Sequence, residues 1–95
     1  MKINLATTFT DLEGNLLVDA KGSILTLKTV LSSTLSVVRS EMAPERSWEL
    51  AQELFTSTEE FFEIKIEELA QVKNALKGHN WANMVIAQAF KSFEG

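Results

Sequence analysis

Apolar and polar positions along this chain follow two different periods. Near the start, Thr7-Thr8-Phe9-Thr10 and Leu16-Leu17-Val18 are rich in β-branched and aromatic residues, and they flank Asp11-Leu12-Glu13-Gly14-Asn15. Glycine and asparagine tolerate the positive φ that tight hairpin turns need. This stretch therefore predicts a β-hairpin centred near Gly14, and Asp19-Ala20-Lys21-Gly22 reads as a second turn. From Leu27 onward the period becomes helical. Leu27, Val30, Leu31, Leu35 and Val38 make one stripe, and Lys28, Ser32, Ser33, Ser36 and Arg39 lie opposite. That spacing predicts a helix over about 26–40 with Thr26 as its N-cap. Its serine, threonine and valine content suits a strand as well, so both assignments stay open.

Pro44 fits the first turn of a second helix, where its missing N–H costs nothing, and Glu45 suits the positive helix end. Trp48, Ala51, Leu54 and Phe55 are expected to be its buried face, and Thr56-Ser57-Thr58 its stop. Phe61-Phe62-Glu63-Ile64 is a short strand candidate. A third helix is predicted over about 66–77, with Leu69, Val72 and Leu76 inward and Gly78 as a left-handed residue past its end. Asn80 is expected to cap a last helix running to about Phe93. In that helix Trp81, Val85, Ala89 and Phe93 form one stripe, and Ala82, Ile86 and Phe90 form a second beside it. A helix on a small core needs one apolar stripe about 100° wide. The extra width leaves two readings: the helix is central to the fold, or part of it is covered by another chain. Trp81, Val85, Ile86, Ala89, Phe90 and Phe93 are accordingly the candidate protein-interaction residues.

No internal repeat, low-complexity tract or linker stands out, and the 95 residues read as one domain, 1–95. The expected class is α+β, predominantly helical, with an N-terminal β-hairpin followed by about four short helices. A chain of this length buries only about 60–65% of the surface its unfolded form exposes, so dimerisation or docking on a partner is a common source of added stability.

Composition narrows function mostly by exclusion. The chain has no cysteine, which removes disulfides, thiolate metal sites and thiol catalysis and points to a reducing, cytoplasmic setting. No run approaches the roughly 20 apolar residues of a membrane span. Met1-Lys2-Ile3-Asn4-Leu5 lacks the apolar segment of a signal peptide. Net charge is −4 and unevenly spread: residues 1–40 carry four bases and three acids, and residues 41–95 carry ten acids and five bases. With no basic stripe for a phosphate backbone, nucleic acid is not an expected partner.

Candidate chemistry is thin. His79, the single histidine, lies in a connection between two helices with no nucleophile beside it, and reads as a solvated loop residue. Glu59, Glu60, Glu63, Glu67 and Glu68 form the densest acidic cluster. They lack the two facing carboxylates of glycoside hydrolysis and the oxygen spacing of a calcium loop, so they read as a solvated face or as an acidic docking surface. The glycines are isolated and make no phosphate cradle. The serines of 32–40 have no nucleophile-elbow context. The expectation is a protein without catalytic residues, cofactor, metal or small-molecule substrate.

Several of these segments together carry a resemblance. Met1-Lys2-Ile3-Asn4-Leu5, Asp11-Leu12-Glu13-Gly14-Asn15, Leu25-Thr26-Leu27, Glu49-Leu50-Ala51, Leu69 to Leu76 and Ile86-Ala87-Gln88-Ala89 occur in an order that resembles a group of small proteins encoded in tailed phages and prophages. The motifs are a turn and helix faces, the tract 37–45 departs from the pattern, and the group offers no catalytic residues to carry over. The resemblance implies a phage gene product in the bacterial cytoplasm. It would act by contact, as an assembly helper or host-protein modulator that binds a protein partner or itself. The alternative is a minor head–tail or tail component of the virion.

Overall fold

A computed structural model describes residues 1–94 of the chain, and it is α+β with helix predominant. The order is β1 (Lys2–Asn4), α1 (Leu27–Val37), α2 (Pro44–Thr56), β2 (Phe61–Glu63), α3 (Ile66–Lys77) and α4 (Asn83–Phe93). Between β1 and α1 the chain makes two tight turns. The first is the one expected at Gly14, with Gly14 at φ 87° and a single antiparallel bridge, Thr10↔Leu16, across it. The second repeats it eight residues later, with Gly22 at φ 84° and the bridge Val18↔Ile24.

The match extends to the hydrogen bonds. Asp11 Oδ1 accepts from the N–H groups of Glu13 and Asn15 at 2.9 and 3.0 Å. Asp19 Oδ1 accepts from those of Lys21 and Ser23 at 2.9 and 3.1 Å. Leu17 N–H donates to Phe9 O and Leu25 N–H donates to Leu17 O, so Phe9, Leu17 and Leu25 stack inward. Thr10–Leu17 and Val18–Leu25 are thus tandem copies of one aspartate-and-glycine turn, which corrects the expectation of no internal repeat. The copies share only Asp, Gly and a final Leu in register, too little to show as self-similarity.

The regular sheet joins distant parts of the chain. β1 pairs antiparallel with β2 in the register Lys2↔Glu63, Ile3↔Phe62, Asn4↔Phe61. Leu5 N–H to Glu60 O (2.7 Å) and Ile64 N–H to Met1 O (2.8 Å) extend it at both ends.

The region 26–40 is helical over Leu27–Val37, and Thr26 holds the N-cap position without a side-chain capping bond. Its buried stripe contains Leu27, Val30, Leu31 and Leu35 as expected, but Ser32 and Thr34 are buried with them. Each hydroxyl donates to a carbonyl of the preceding turn, Ser32 to Lys28 O and Thr34 to Val30 O, both at 2.7 Å. A buried hydroxyl that is hydrogen-bonded in this way costs little.

α2 is rotated from the expected phase. Its buried residues are Ser47, Leu50, Ala51 and Leu54, while Trp48 and Phe55 stay on the surface. Ser47 takes the inward place because its Oγ donates to Leu35 O at 2.8 Å, which ties α2 closely to α1. α3 matches the expected helix, with Leu69, Val72, Ala75 and Leu76 inward. Gly78 ends it at φ −82°, in the right-handed region, so the glycine freedom expected there is used instead at Gly14 and Gly22.

α4 begins three residues later than Asn80, at Asn83 with Ala82 as N-cap. Trp81 precedes the helix. Its Nε1 donates to Thr34 Oγ1 at 2.7 Å, and its ring meets half-buried His79 edge-on at 5.5 Å. Val85, Ala89 and Phe93 complete one core with Ile3, Leu5, Phe9 and the inner faces of α1, α2 and α3. Among the described residues, no helix is long and apolar enough to cross a membrane.

Candidate functional site

Of the six residues proposed from sequence as a contact face, three are buried and three half-buried. Val85, Ala89 and Phe93 lie in the protein's own core, Phe93 being 1% exposed. Trp81 is half-buried and held by Thr34. Ile86 and Phe90 are half-buried, and Phe90 is overlain by the Lys73 and Lys77 ammonium groups at 5.8 and 5.6 Å from its ring. The physical reason is the late helix start. With Trp81 and Ala82 outside α4, the helix is apolar over less of its girth than Asn80–Phe93 would be, and this chain covers the inner stripe.

The acidic cluster is partly drawn into ion pairs: Glu63, Glu67 and Glu68 border one hollow with Arg46 and Lys65, and Glu63 accepts from the Met1 amino group at 2.8 Å. Glu68 belongs to an ion pair that fastens α3 to α2. Arg46 Nε and Nη2 donate to its two carboxylate oxygens at 2.6 and 3.2 Å, and Nη1 donates to Glu49 at 2.7 Å and Glu53 at 3.4 Å. That bond from Arg46, against the opposing effect of burial, holds the Glu68 carboxyl below the usual carboxylate range. Glu59, Glu60 and Glu67 are exposed. Among the described residues no group of three or more carboxylate or imidazole side chains is gathered to hold a metal.

The surface feature that does gather residues lies between α1 and α2, which run antiparallel. Lys28 Nζ donates to Ser57 O at 2.6 Å at one end of the pair, and Ser47 meets Leu35 at the other. Thr29, Ser32, Ser33 and Ser36 form the α1 wall of a groove of about 460 Å³. Short side chains at three- and four-residue spacing keep that wall low. Trp48 and Phe55 stand along the α2 wall, 55% and 68% exposed, with Gln52 between them and Ala51 at the floor. Trp48 and Ser36 also border a second hollow of about 280 Å³ that carries the groove on to Val37, Arg39 and Pro44.

None of the residues lining the larger hollow titrates near neutral pH: the polar groups are hydroxyls, one amide and the Trp48 indole N–H. General acid–base catalysis needs a group that exchanges a proton in that range, and the groove has none. It offers apolar and hydroxyl surface between two aromatic side chains, which suits it to contact.

Along the chain, the stretch that contains α1 and the stretch that contains α2 differ in charge. Residues 20–40 hold Lys21, Lys28 and Arg39 and no acid. Residues 41–68 hold nine glutamates against Arg46 and Lys65, a net of −7. Sequence periodicity missed this site because it assigned Trp48 and Phe55 to the core. Their separation of seven residues, with Leu50 and Leu54 offering a rival stripe, was the available signal.

Comparison with protein-family models, curated proteins and solved structures finds no match to this chain.

Proposed function

We propose that this chain is a non-enzymatic interaction factor that acts by contact through the α1–α2 groove. The observation that carries the reading is the exposure of Trp48 and Phe55 along one side of that groove. Large aromatic side chains are the commonest anchors of protein interfaces, and contiguous apolar surface on a small domain marks an interaction site. The absence of titrating groups in the groove favours binding over catalysis. The partner is protein, and neither nucleic acid, membrane nor a small-molecule substrate is part of the reading. The resemblance to small tailed-phage and prophage proteins supplies the setting: a phage product in the cytoplasm of its bacterial host, helping assembly or modulating a host protein.

The test is site-specific photo-crosslinking in cells producing the protein. A photoreactive residue at position 48 or 55 should give a discrete protein adduct, and one at the exposed Asn74 on α3 should not. Equal labelling from all three positions, or none from 48 and 55, sinks the reading.

A further inference from the structure

The groove and the side chains suited to fill it lie on the same face of the same molecule. α2 presents a ridge, Trp48 and Phe55, and α1 presents the low wall of Thr29, Ser33 and Ser36 beside it. Along the pair, Phe55 stands level with Thr29, and Trp48 level with Ser36. A two-fold axis parallel to the helices would lay α1 of a second copy across α2 of the first, antiparallel, and the reverse contact would follow by symmetry. Each ridge then enters the other copy's groove at the matching level, which is what an isologous interface requires.

Charge selects the same pairing. Arg39 and Glu45 mark the same end of the helix pair, since Arg39 and Pro44 border one hollow. Glu45 is exposed and, among the described residues, has no ion-pair partner. In the two-fold arrangement the Arg39 end of one copy's α1 meets the Glu45 end of the other's α2. At the opposite end the Lys28 side of α1 approaches the exposed Glu59 beyond α2. A packing of α2 against α2 would set glutamates against glutamates, and α1 against α1 would leave the aromatic ridges uncovered.

We infer that the α1–α2 groove is the seat of a second copy of this chain, forming a two-fold four-helix interface through reciprocal insertion of Trp48 and Phe55. The inference rests on reading the groove as a contact surface and adds its occupant.

Sedimentation equilibrium over a wide concentration range, with thermal melting by circular dichroism, tests it. The wild type should show a reversible monomer–dimer equilibrium. Trp48→Ser and Phe55→Ser should each weaken it about 30-fold, the size expected for an aromatic hot spot, and leave the monomer folded. Ser33→Arg fills the groove from the α1 side and should do the same without touching the ridge. Glu45→Lys and Arg39→Glu should each weaken the dimer, and the double variant should restore it.

A wild type that stays monomeric throughout overturns the inference, as does a dimer indifferent to Trp48→Ser, Phe55→Ser and Ser33→Arg. A monomeric wild type that still crosslinks from position 55 to a different protein would sink the second copy and leave the contact reading standing. A monomer with no adduct from 48 or 55 sinks both.

Discussion

Thr34 sits fully buried on α1, donating to Val30 O and accepting from Trp81 Nε1, so one hydroxyl satisfies both its own burial and that of an indole 47 residues away. Thr34→Val keeps the shape and leaves the indole N–H without its acceptor. An orphaned donor of this kind costs about 1–3 kcal/mol. The expected outcome is a lower urea midpoint with an unchanged slope, and a smaller loss for Thr34→Ser, which retains the acceptor. Arg46 makes a comparable link between α2 and α3, but one that depends on pH. Glu68 titrates below its ordinary value of 4.5 chiefly because Arg46 donates to it. Its folded pKa is therefore below its unfolded one, and the stabilisation is present above the unfolded value and lost as pH falls through the folded one. Arg46 is partly exposed, so the pair is worth at most about 1 kcal/mol. Arg46→Met should be less stable than wild type by about that much at neutral pH, and the difference should shrink toward zero in acid. A pH-independent difference in chemical denaturation would refute the link.

The tandem turns between β1 and α1 depend on two residues at positive φ, and beyond its chain neighbours neither glycine has an atom within 4 Å of where a Cβ would stand. Substitution there meets no packing clash and reports backbone strain alone. Gly14→Ala and Gly22→Ala should each cost about 1–2 kcal/mol, and Asn in either place distinctly less. Thermal melting of the four variants is the check, and an Ala variant as stable as wild type would show that the turn relaxes. This element also marks where sequence reading stopped. The turn at Gly14 was legible because Asp, Gly and Asn each have a local chemical reason to be there. The repeat was not, because a unit of eight residues has few places in which two copies can agree. In the helices, period was legible throughout, and phase failed only in α2. α3 was readable almost to the residue, since after Ile66 in its first turn Leu69, Val72 and Leu76 have no large apolar rival on the outer face. In α2, Trp48 and Phe55 outweigh Ser47 by hydrophobicity, yet Ser47 is buried because Leu35 offers it an acceptor 12 residues upstream. A side chain's tertiary hydrogen-bond partner leaves no trace in the local pattern. The groove was hidden by that single error of phase.

At the scale of the whole molecule, the fold is closed by contacts between residues far apart in sequence. β1 pairs with β2 across the two tandem turns, α1 and α2, and Gln88 of α4 binds the backbone of Thr10 twice, at 3.0 and 2.8 Å. The first five residues bring Ile3 and Leu5 into the core, 1% and 3% exposed, and supply the only ladder partner of β2 among the described residues. Burying two such side chains contributes about 3–6 kcal/mol by area alone. A domain of this size has a total stability of about 5–15 kcal/mol. Removing residues 1–5 takes away that burial, removes the strand on which α4 packs, and leaves the backbone of Phe61–Glu63 without its partner. The two losses act on the same cooperative unit, because α4 packs on β1 as well as on α3. The expected result of the deletion is loss of near-ultraviolet circular dichroism and of dispersed amide resonances, while some helical signal from α1 and α2 persists. The comparison that isolates the cause is Ile3→Ala with Leu5→Ala in the intact chain, which keeps the β1 backbone and removes only the side chains. If burial dominates, that double variant should be nearly as damaged as the deletion. If the ladder dominates, it should stay folded with a lowered melting temperature. A deletion variant that retains the full wild-type spectrum would mean that β1 is an accessory to the helical core and not part of what closes it.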